Sequence, residues 1–320
     1  MLLPTLADIQ HAASRIKPYA HRTPVLTCTS VNQLVGAELF CKCENFQKAG
    51  AFKFRGACNA VFALSEAEAQ RGVATHSSGN HGAALALAAR LRGIAAWIVM
   101  PKNAPAVKKA AVAGYGGHIV FCEPTLAARE AMLAQVTAEN GATFIPPYNH
   151  PHVIAGQGTA ALELCEDVSG LDVVLAPVGG GGLVSGTALA VTALSPGTRV
   201  IAAEPAGADD AYRSLQAGHI IPSVQPKTIA DGLLTSLGDL TFAIIQRHVA
   251  QIVTVSEAAI ISAMRTVWER MKIIIEPSAA VPLGALLEKR LDLGGQRIGV
   301  ILSGGNIDLD RLPWLTSERS

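Results

Sequence analysis

A run of four glycines is the segment of this sequence best suited to binding an anion. Gly179-Gly180-Gly181-Gly182 follows the apolar stretch Val173–Val178 and precedes the helix-like stretch Ser185–Leu194. Residues without a Cβ allow successive backbone N–H groups to surround an anion, and the next helix adds the positive end of its dipole. A tight turn needs fewer glycines, so the run predicts a phosphate site. The dinucleotide-binding and P-loop patterns are both absent from it.

Lys53 stands between Phe52 and Phe54 near the predicted start of a helix. Burial among apolar groups disfavours the ammonium form and favours the neutral amine, which can condense with an aldehyde. Taken alone, a lysine is more often a solvated surface residue, as we expect for Lys48. The assignment of Lys53 to a site therefore depends on the other motifs.

Two further segments combine hydroxyl or amide side chains with turn glycines. Ser77-Ser78-Gly79-Asn80-His81-Gly82 stands just before a helix, where hydroxyls and backbone N–H groups can donate to a carboxylate. Ser303-Gly304-Gly305-Asn306 follows a predicted strand, and a neutral hydroxyl there can hydrogen-bond a ring nitrogen without protonating it. A helix cap and a turn are the simpler interpretations of the two segments taken alone. A hydrolytic triad is not supported, because no Gly-x-Ser-x-Gly motif occurs.

The spacing of apolar runs predicts the elements that hold these motifs. Short β-branched runs alternate with Ala/Leu-rich stretches, which is typical of a parallel sheet covered by helices on both sides and indicates an α/β fold. Ligand-binding loops are expected at the carboxyl ends of such strands. The predicted strands are Ala37–Cys43, Ile94–Met100, His118–Cys122, Val173–Pro177, Val200–Glu204, Ile252–Val255 and Ile298–Leu302.

Length and charge limit the domain organisation and the partners. At 320 residues, half of them hydrophobic, the chain is long for one simple domain, and residues 72–151 contain their own alternation of strand and helix. We therefore predict a large domain from residues 1–71 and 152–320, with a small inserted domain from residues 72–151. The 26 basic and 25 acidic residues nearly cancel, which argues against nucleic acid and anionic membranes and favours a small-molecule partner.

The N-terminus and the absence of a long apolar run predict a cytoplasmic protein. The first residues lack a signal-peptide pattern, and no apolar run is long enough to span a membrane. The six cysteines are dispersed without the spacing of a zinc site or a disulfide scaffold, which predicts buried free thiols. Cys41 and Cys43 alternate on a predicted strand and should share one face.

Taken in order, the Phe52-Lys53 segment, residues 77–82, the glycine run and residues 303–306 resemble the motifs of the fold-type II pyridoxal-phosphate (PLP) enzymes. The similarity extends from about His21 to Asp308 and is strongest to the serine racemase and serine/threonine dehydratase branch. It implies an α/β fold like that of the tryptophan synthase β subunit, with two open twisted lobes and the cofactor in the cleft between them. Family members are often dimers, so a homodimer is implied.

The resemblance also implies roles for individual residues. Lys53 would hold PLP as a Schiff base and remove the Cα proton, with the hydroxyl of Ser78 as a second catalytic group on the opposite face. The implied cofactor-binding residues are Phe52, Lys53, Asn80, Gly179, Gly180, Gly181, Gly182, Leu183, Glu276 and Ser303. The implied substrate-binding residues are Ser77, Ser78, His81, Arg129 and Thr235. A divalent-cation site with oxygen ligands suited to Mg²⁺ or Ca²⁺ is matched by Glu204, the backbone carbonyl of Ala208 and Asp210.

The sequence departs from the racemase pattern at two positions. Ala83 stands where the racemase has a glutamine tied to nucleotide binding, and Thr235 stands where it has a serine. Regulation by ATP is therefore not expected. The chain ends soon after residues 303–306, so the regulatory domain of biosynthetic threonine deaminases is not expected either.

The implied activity is removal of water and then ammonia from a small L-β-hydroxy amino acid, which yields a 2-oxo acid. Threonine, serine, 3-hydroxyaspartate and phenylserine all fit this chemistry, and Arg129 would suit a second carboxylate. An amino-acid racemase is the main alternative, because Ser78 opposite Lys53 could return a proton to Cα, and dedicated threonine dehydratases commonly have alanine there. A non-catalytic PLP-binding sensor is disfavoured by the joint presence of Lys53 and Ser78. A nicotinamide-dependent oxidoreductase is disfavoured by the missing dinucleotide motif.

Overall fold

Two β-sheets form the framework of the chain. In the computed structural model, which describes residues 3–77, 79–104 and 106–315, one sheet has six strands and the other has four. The strands are β1 (Val25–Leu26), β2 (Glu38–Cys43), β3 (Val73–His76), β4 (Ala96–Pro101), β5 (His118–Cys122), β6 (Thr143–Phe144), β7 (Val173–Pro177), β8 (Arg199–Pro205), β9 (Gln251–Val255) and β10 (Arg297–Leu302).

Parallel pairing dominates both sheets. The larger sheet has the order β1-β2-β10-β7-β8-β9, and the smaller sheet has the order β5-β4-β3-β6. Among the described strands, every neighbouring pair is parallel except the antiparallel pair β1 and β2. The predicted α/β class is therefore confirmed. In each sheet the carboxyl ends of the parallel strands lie along one edge, where ligand-binding loops are expected.

Helices cover both faces of the larger sheet. Alternate residues of β7 pack into different hydrophobic clusters, with Val174 and Ala176 in one and Val173 and Leu175 in the other. Among the described helices, none is both long enough and apolar enough to cross a membrane. The helices are α1 (Leu6–Ile16), α2 (Thr29–Val35), α3 (Lys53–Ala63), α4 (Glu66–Gln70), α5 (Asn80–Arg92), α6 (Ala106–Gly114), α7 (Leu126–Asn140), α8 (Pro151–Asp167), α9 (Gly182–Leu194), α10 (Asp210–Ala217), α11 (Asp239–His248), α12 (Glu257–Thr266) and α13 (Pro277–Leu287).

The strands predicted from apolar runs all exist, with ends that differ from the prediction by two residues at most. The sequence does not predict β1, β3 or β6, because these strands have two, four and two residues and show no periodicity long enough to detect. Helix α5 begins at Asn80, inside the segment that the sequence places just before it, and α9 begins at Gly182 rather than Ser185. Asparagine and glycine have low helix propensity, which hides these first turns in the sequence.

The predicted domain boundaries at residues 72 and 151 stay a prediction. All strands of the smaller sheet lie between these boundaries. However, Phe54 and Ala57 of α3 pack in the same hydrophobic cluster as Leu85 of α5 and Ile98 of β4. Helix α3, which precedes the predicted insert, therefore shares the core of the smaller sheet.

The thiols are free, as the sequence predicts. The four buried thiols are those of Cys41, Cys43, Cys58 and Cys122. The two half-buried thiols are those of Cys28 and Cys165. Burial raises the pKa of Cys43 to about 12, so this thiol is unreactive. Cys41 and Cys43 pack in one hydrophobic cluster, as expected for alternate residues of β2.

A buried cluster of charges fixes the start of α3 against the larger sheet and α8. The guanidinium of Arg55, which is 0% exposed, donates to Glu44 at 2.7 and 2.8 Å and to Glu163 at 2.8 Å. Lys42, also 0% exposed, donates to Glu163 at 2.7 Å and to the Thr23 carbonyl at 2.7 Å. Buried charges are tolerated only when they are paired in this way. Arg55 follows Lys53 by two positions, so the cluster also fixes the segment that carries Lys53.

We expect Glu44→Gln to lower the free energy of unfolding by about 3–5 kcal/mol, because it leaves the buried charge of Arg55 short of one carboxylate. The measurement is urea unfolding followed by circular dichroism. The matched control is Glu66→Gln, since the side chain of Glu66 is 89% exposed in its ion pair with Arg92 and should contribute at most about 1 kcal/mol. Equal effects of the two substitutions would contradict this account of the cluster.

Candidate active site

Lys53 is the first residue of α3, and its amine lies in a pocket between two aromatic rings. The amine donates a hydrogen bond to the Pro147 carbonyl at 2.7 Å and lies 5.1 Å from the centre of the Phe52 ring and 6.0 Å from that of Tyr148. Although the residue as a whole is only half-buried, burial of its amine lowers the pKa of Lys53 to about 8, while the negative charge of Glu276 opposes the shift. The amine can therefore lose its proton near neutral pH.

The loop after β10 lies directly beside Lys53. The N–H of Phe52 donates to the carbonyl of Ser303 at 3.0 Å, and the N–H of Gly305 donates to the carbonyl of Gly50 at 2.9 Å. Gly50 has a φ of +70°, and a Cβ there would lie 2.3 Å from Oδ1 of Asn306. Ser303 is 2% exposed. The structure thus brings together the Lys53 segment and residues 303–306, which are the first and last of the motifs in chain order.

Asn80 connects the smaller sheet to the same loop. Its amide donates to the two oxygens of Glu276 at 2.9 and 3.1 Å, and its carbonyl oxygen accepts from the Asn306 amide at 3.0 Å. The Asn306 amide also donates to the Ala49 carbonyl at 2.7 Å. Burial raises the pKa of Glu276 to about 7, although the hydrogen bond from Asn80 opposes this shift. Asn80, Glu276 and the Lys53 segment therefore form one connected site.

The glycine run forms a buried loop whose backbone N–H groups are available to a ligand. Among the described residues, no backbone carbonyl accepts a hydrogen bond from the N–H groups of residues 179–183. Gly181 has a φ of +86°, and a Cβ on Gly180 would lie 2.4 Å from the ring of Tyr148. A Cβ on Gly182 would lie 2.4 Å from Oε1 of Gln157. Because unpaired buried donors are costly, the loop fits an anionic group such as a phosphate at the start of α9.

His81 is held as a neutral imidazole near Lys53. It is 2% exposed, and its Nε2–H donates to the Ile145 carbonyl at 2.9 Å, which makes Nδ1 the acceptor. Burial, followed by the charge of Lys53, lowers the pKa of His81 to about 3. Nδ1 is buried without a partner among the described residues, so it is open to a donor on a ligand. Ser77 lies at the same helix start, where its hydroxyl accepts from the Gly79 N–H at 3.3 Å, and Ser78 lies outside the described residues.

Arg129 and Thr235 have described contacts with neighbours of the site residues. Arg129 is half-buried in α7, and its positive charge contributes to lowering the pKa of His76, the residue before Ser77, although burial of His76 is the larger cause. In the described part of the chain, no hydrogen bond joins Arg129 to the residues around Lys53. Burial raises the pKa of Tyr148, and the neighbouring Thr235 side chain opposes this shift. The described contacts of the two predicted substrate residues therefore involve different parts of the site.

The predicted cation ligands lie between the end of β8 and the start of α10. The two oxygens of Glu204 accept the N–H groups of Ala211 at 2.9 Å and Tyr212 at 2.8 Å. Asp210 is 1% exposed, and among the described residues its oxygens have no hydrogen-bond partner of ordinary length. Burial raises the pKa of Glu204 to about 9 and that of Asp210 to about 6. Together with the buried Ala208, these carboxylates fit a hard divalent cation, because its charge would compensate for their burial.

Tyr148 is a site residue that the sequence motifs do not reveal. Its ring packs on Gly180, its neighbour Pro147 accepts the hydrogen bond from Lys53, and its hydroxyl lies near the side chain of Thr235. It follows β6, a strand of two residues that leaves no detectable pattern. An aromatic residue at the carboxyl end of a parallel strand is the signal that could have located it.

Comparison with known proteins gives the family. The family model described as "Pyridoxal-phosphate dependent enzyme" matches residues 16–304. The chain is 56% identical over 314 residues to the β-hydroxyaspartate dehydratase of Paracoccus denitrificans, which covers 98% of this chain and 100% of that protein. It is 48% identical over 320 residues to the L-threo-3-hydroxyaspartate ammonia-lyase of Saccharomyces cerevisiae, with coverage of 100% and 98%. The crystal structure of serine racemase from Dictyostelium discoideum matches with a TM-score of 0.92 and 51% identity, covering 96% of this chain and 99% of that one. The chain therefore belongs to the pyridoxal-phosphate dependent enzymes of fold type II, in the serine racemase and dehydratase family.

Proposed function

We propose that this enzyme is an ammonia-lyase that converts a small L-β-hydroxy amino acid, with 3-hydroxyaspartate as the preferred substrate, into a 2-oxo acid and ammonia. The observation that carries the proposal is the Lys53 amine, which lies beside the site motifs with its pKa lowered to about 8. A base with a pKa close to the working pH is suited to removing a Cα proton. The names of the two hydroxyaspartate-acting relatives support the choice of substrate.

The described residues fit PLP, and we assign its contacts from their chemistry. Lys53 would hold the cofactor covalently beside Phe52, and the N–H groups of residues 179–183 would bind its phosphate. Asn80, supported by Glu276, would contact the ring hydroxyl, and Ser303 would face the ring nitrogen. When bound, PLP stabilises negative charge at Cα of the amino acid.

The remaining groups would bind and orient the substrate. Ser77 and the N-terminal N–H groups of α5 would donate to its α-carboxylate, and neutral His81 would accept a hydrogen bond at Nδ1. Lys53, released by the substrate amine, would then take the Cα proton as the β-hydroxyl leaves with a proton. The enamine product of this elimination tautomerises and hydrolyses to the 2-oxo acid and ammonia.

Racemase activity is the second candidate, favoured by the similarity to a serine racemase at 50% identity over 314 residues. In this alternative, Ser78 would return a proton to Cα. Elimination and racemisation share the removal of the Cα proton, so one site can support both.

We expect the purified enzyme to release ammonia and a 2-oxo acid most efficiently from 3-hydroxyaspartate, followed by serine and threonine. The measurement is kcat/KM across these substrates, including both 3-hydroxyaspartate diastereomers and phenylserine, with chiral analysis of the residual amino acid. Arg129→Met should lower kcat/KM for 3-hydroxyaspartate by about 10- to 100-fold and leave that for serine nearly unchanged, because only the former has a second carboxylate.

The matched control for that variant is Arg265→Met, since Arg265 is an exposed arginine of α12 that pairs with Glu269. It should leave both substrates unaffected. An equal loss for serine and 3-hydroxyaspartate in Arg129→Met would show that Arg129 does not select the substrate. Absence of turnover with every substrate would overturn the proposed activity itself.

We also propose that Glu204, the Ala208 carbonyl and Asp210 bind Mg²⁺ or Ca²⁺. No cluster of three or more His, Cys, Asp or Glu side chains suited to a metal occurs in the described ranges, so the proposal depends on two carboxylates and a carbonyl. Their burial supports it, because a bound cation would stabilise the ionised carboxylates.

We expect Mg²⁺ or Ca²⁺ to raise the midpoint of thermal unfolding progressively with cation concentration, because the cation binds the folded state. Asp210→Asn should abolish this rise. The control is Asp209→Asn, which changes a neighbouring carboxylate that is 39% exposed and pairs with Arg213. A rise that persists in Asp210→Asn, or that is absent from the unmodified enzyme, would count against the site.

We propose that the enzyme is a cytoplasmic homodimer. We also propose that each chain divides into a domain of residues 1–71 and 152–320 and an inserted domain of residues 72–151. Exposed apolar side chains next to the loop after β10 support self-association, since Phe46 is 45% and Ile274 is 46% exposed. Both residues line one cavity with Gly305 and Asn306. The free thiols support a reducing compartment.

A further inference from the structure

The ring of Tyr148 lies between the glycine loop and the Lys53 amine. A Cβ on Gly180 would lie 2.4 Å from two atoms of the Tyr148 ring, so the ring packs directly on the backbone of the loop. The Lys53 amine lies 6.0 Å from the centre of the same ring and is hydrogen-bonded to the preceding residue, Pro147. A substrate attached near Lys53 therefore has Tyr148 as a neighbour.

Packing alone does not require the hydroxyl of this side chain. A phenylalanine ring would cover Gly180 equally well, whereas the Tyr148 hydroxyl has the side chain of Thr235 as a polar neighbour. Burial raises the pKa of Tyr148 above its usual value of 10.0, which keeps the phenol protonated at neutral pH. The residue remains half-buried, so part of its surface stays accessible.

The other titratable groups beside Lys53 are poorly suited to donating a proton. Neutral His81 already donates its N–H to the Ile145 carbonyl, and Glu276 accepts from Asn80 with both oxygens. The Tyr148 hydroxyl has a proton to give, and the neighbouring Thr235 side chain can hold its oxygen in place. A departing hydroxyl needs such a donor, because hydroxide is a poor leaving group.

We propose that Tyr148 is the general acid that protonates the β-hydroxyl of the substrate as it leaves, with Thr235 as the residue that positions it. This inference rests on the proposed elimination. Lys53 takes the Cα proton, the electron pair of the Cα–H bond forms the Cα=Cβ double bond, and the Cβ–O bond breaks. Its electron pair remains on oxygen, which takes the phenol proton and departs as water. The tyrosinate then regains a proton from solvent.

The test compares leaving groups in Tyr148→Phe. Elimination from L-serine should fall by about 100-fold or more, whereas elimination from β-chloro-L-alanine should change by less than about threefold, because chloride leaves without a proton. Exchange of the Cα proton of L-serine with deuterated solvent, followed by NMR, should continue at the rate of the unmodified enzyme. This exchange measures removal of the Cα proton by Lys53 and so distinguishes that step from protonation of the leaving group by Tyr148.

A binding measurement provides a readout that does not depend on turnover. Stopped-flow spectra of the bound cofactor give the dissociation constants of L-serine and L-alanine before elimination. The unmodified enzyme should bind L-serine about two- to tenfold more tightly than L-alanine, and Tyr148→Phe should remove this difference. Thr235→Val should reduce the difference between the two dissociation constants as well, but by less. The control is Tyr19→Phe, because the Tyr19 ring stacks on Phe62. This substitution should change neither the ratio of the elimination rates nor the ratio of the dissociation constants.

An equal loss with L-serine and β-chloro-L-alanine would overturn the assignment and leave Tyr148 a packing residue. Unchanged elimination from L-serine in Tyr148→Phe would overturn it as well. If the unmodified enzyme eliminates neither compound, the proposed activity itself is wrong, which distinguishes the two failures.

Discussion

Desolvation of the Lys53 amine is the constraint on which the rest of the site depends. An ammonium ion in this position is costly, and burial lowers the pKa of Lys53 to about 8, so the neutral amine is far more accessible near neutral pH than in a solvated lysine. The position of the amine is fixed from two sides, by the Pro147 carbonyl and by the buried pairing of Arg55 with Glu44 and Glu163. A buried ion pair contributes geometry here more than stability, since pairing only offsets the cost of burial.

The other groups of the site are tied to Lys53 by hydrogen bonds between distant parts of the chain. Asn80 at the start of α5 binds Glu276 at the start of α13, and the loop after β10 pairs with the backbone on either side of Ala51. The two sheets are thus joined through polar contacts at the site. A small movement of one sheet against the other would disturb the environment of the amine, which links the packing of the fold to the chemistry.

Much of this site follows from the sequence because its motifs are short and contiguous. Four glycines in a row indicate an anion site from local sequence alone, and Ser303 stands at the end of an apolar strand, where a ligand-binding loop is expected. Tyr148 and Arg55 give no such local indication, since the importance of each arises from partners far along the chain, such as Gly180 or Glu163. Strands of two residues such as β6 lack any period, and helix starts at Asn80 and Gly182 contradict local propensity, so only tertiary packing determines them.

The most direct test of the central claim is to locate the covalent attachment of the cofactor. Borohydride reduction of the PLP-loaded enzyme, followed by proteolysis and mass spectrometry, fixes the label on the lysine that holds the cofactor aldehyde. The account predicts a single label on Lys53 and loss of both label and visible absorbance in Lys53→Ala. A label on the nearby Lys48, or an enzyme that remains colourless after addition of PLP, would contradict it.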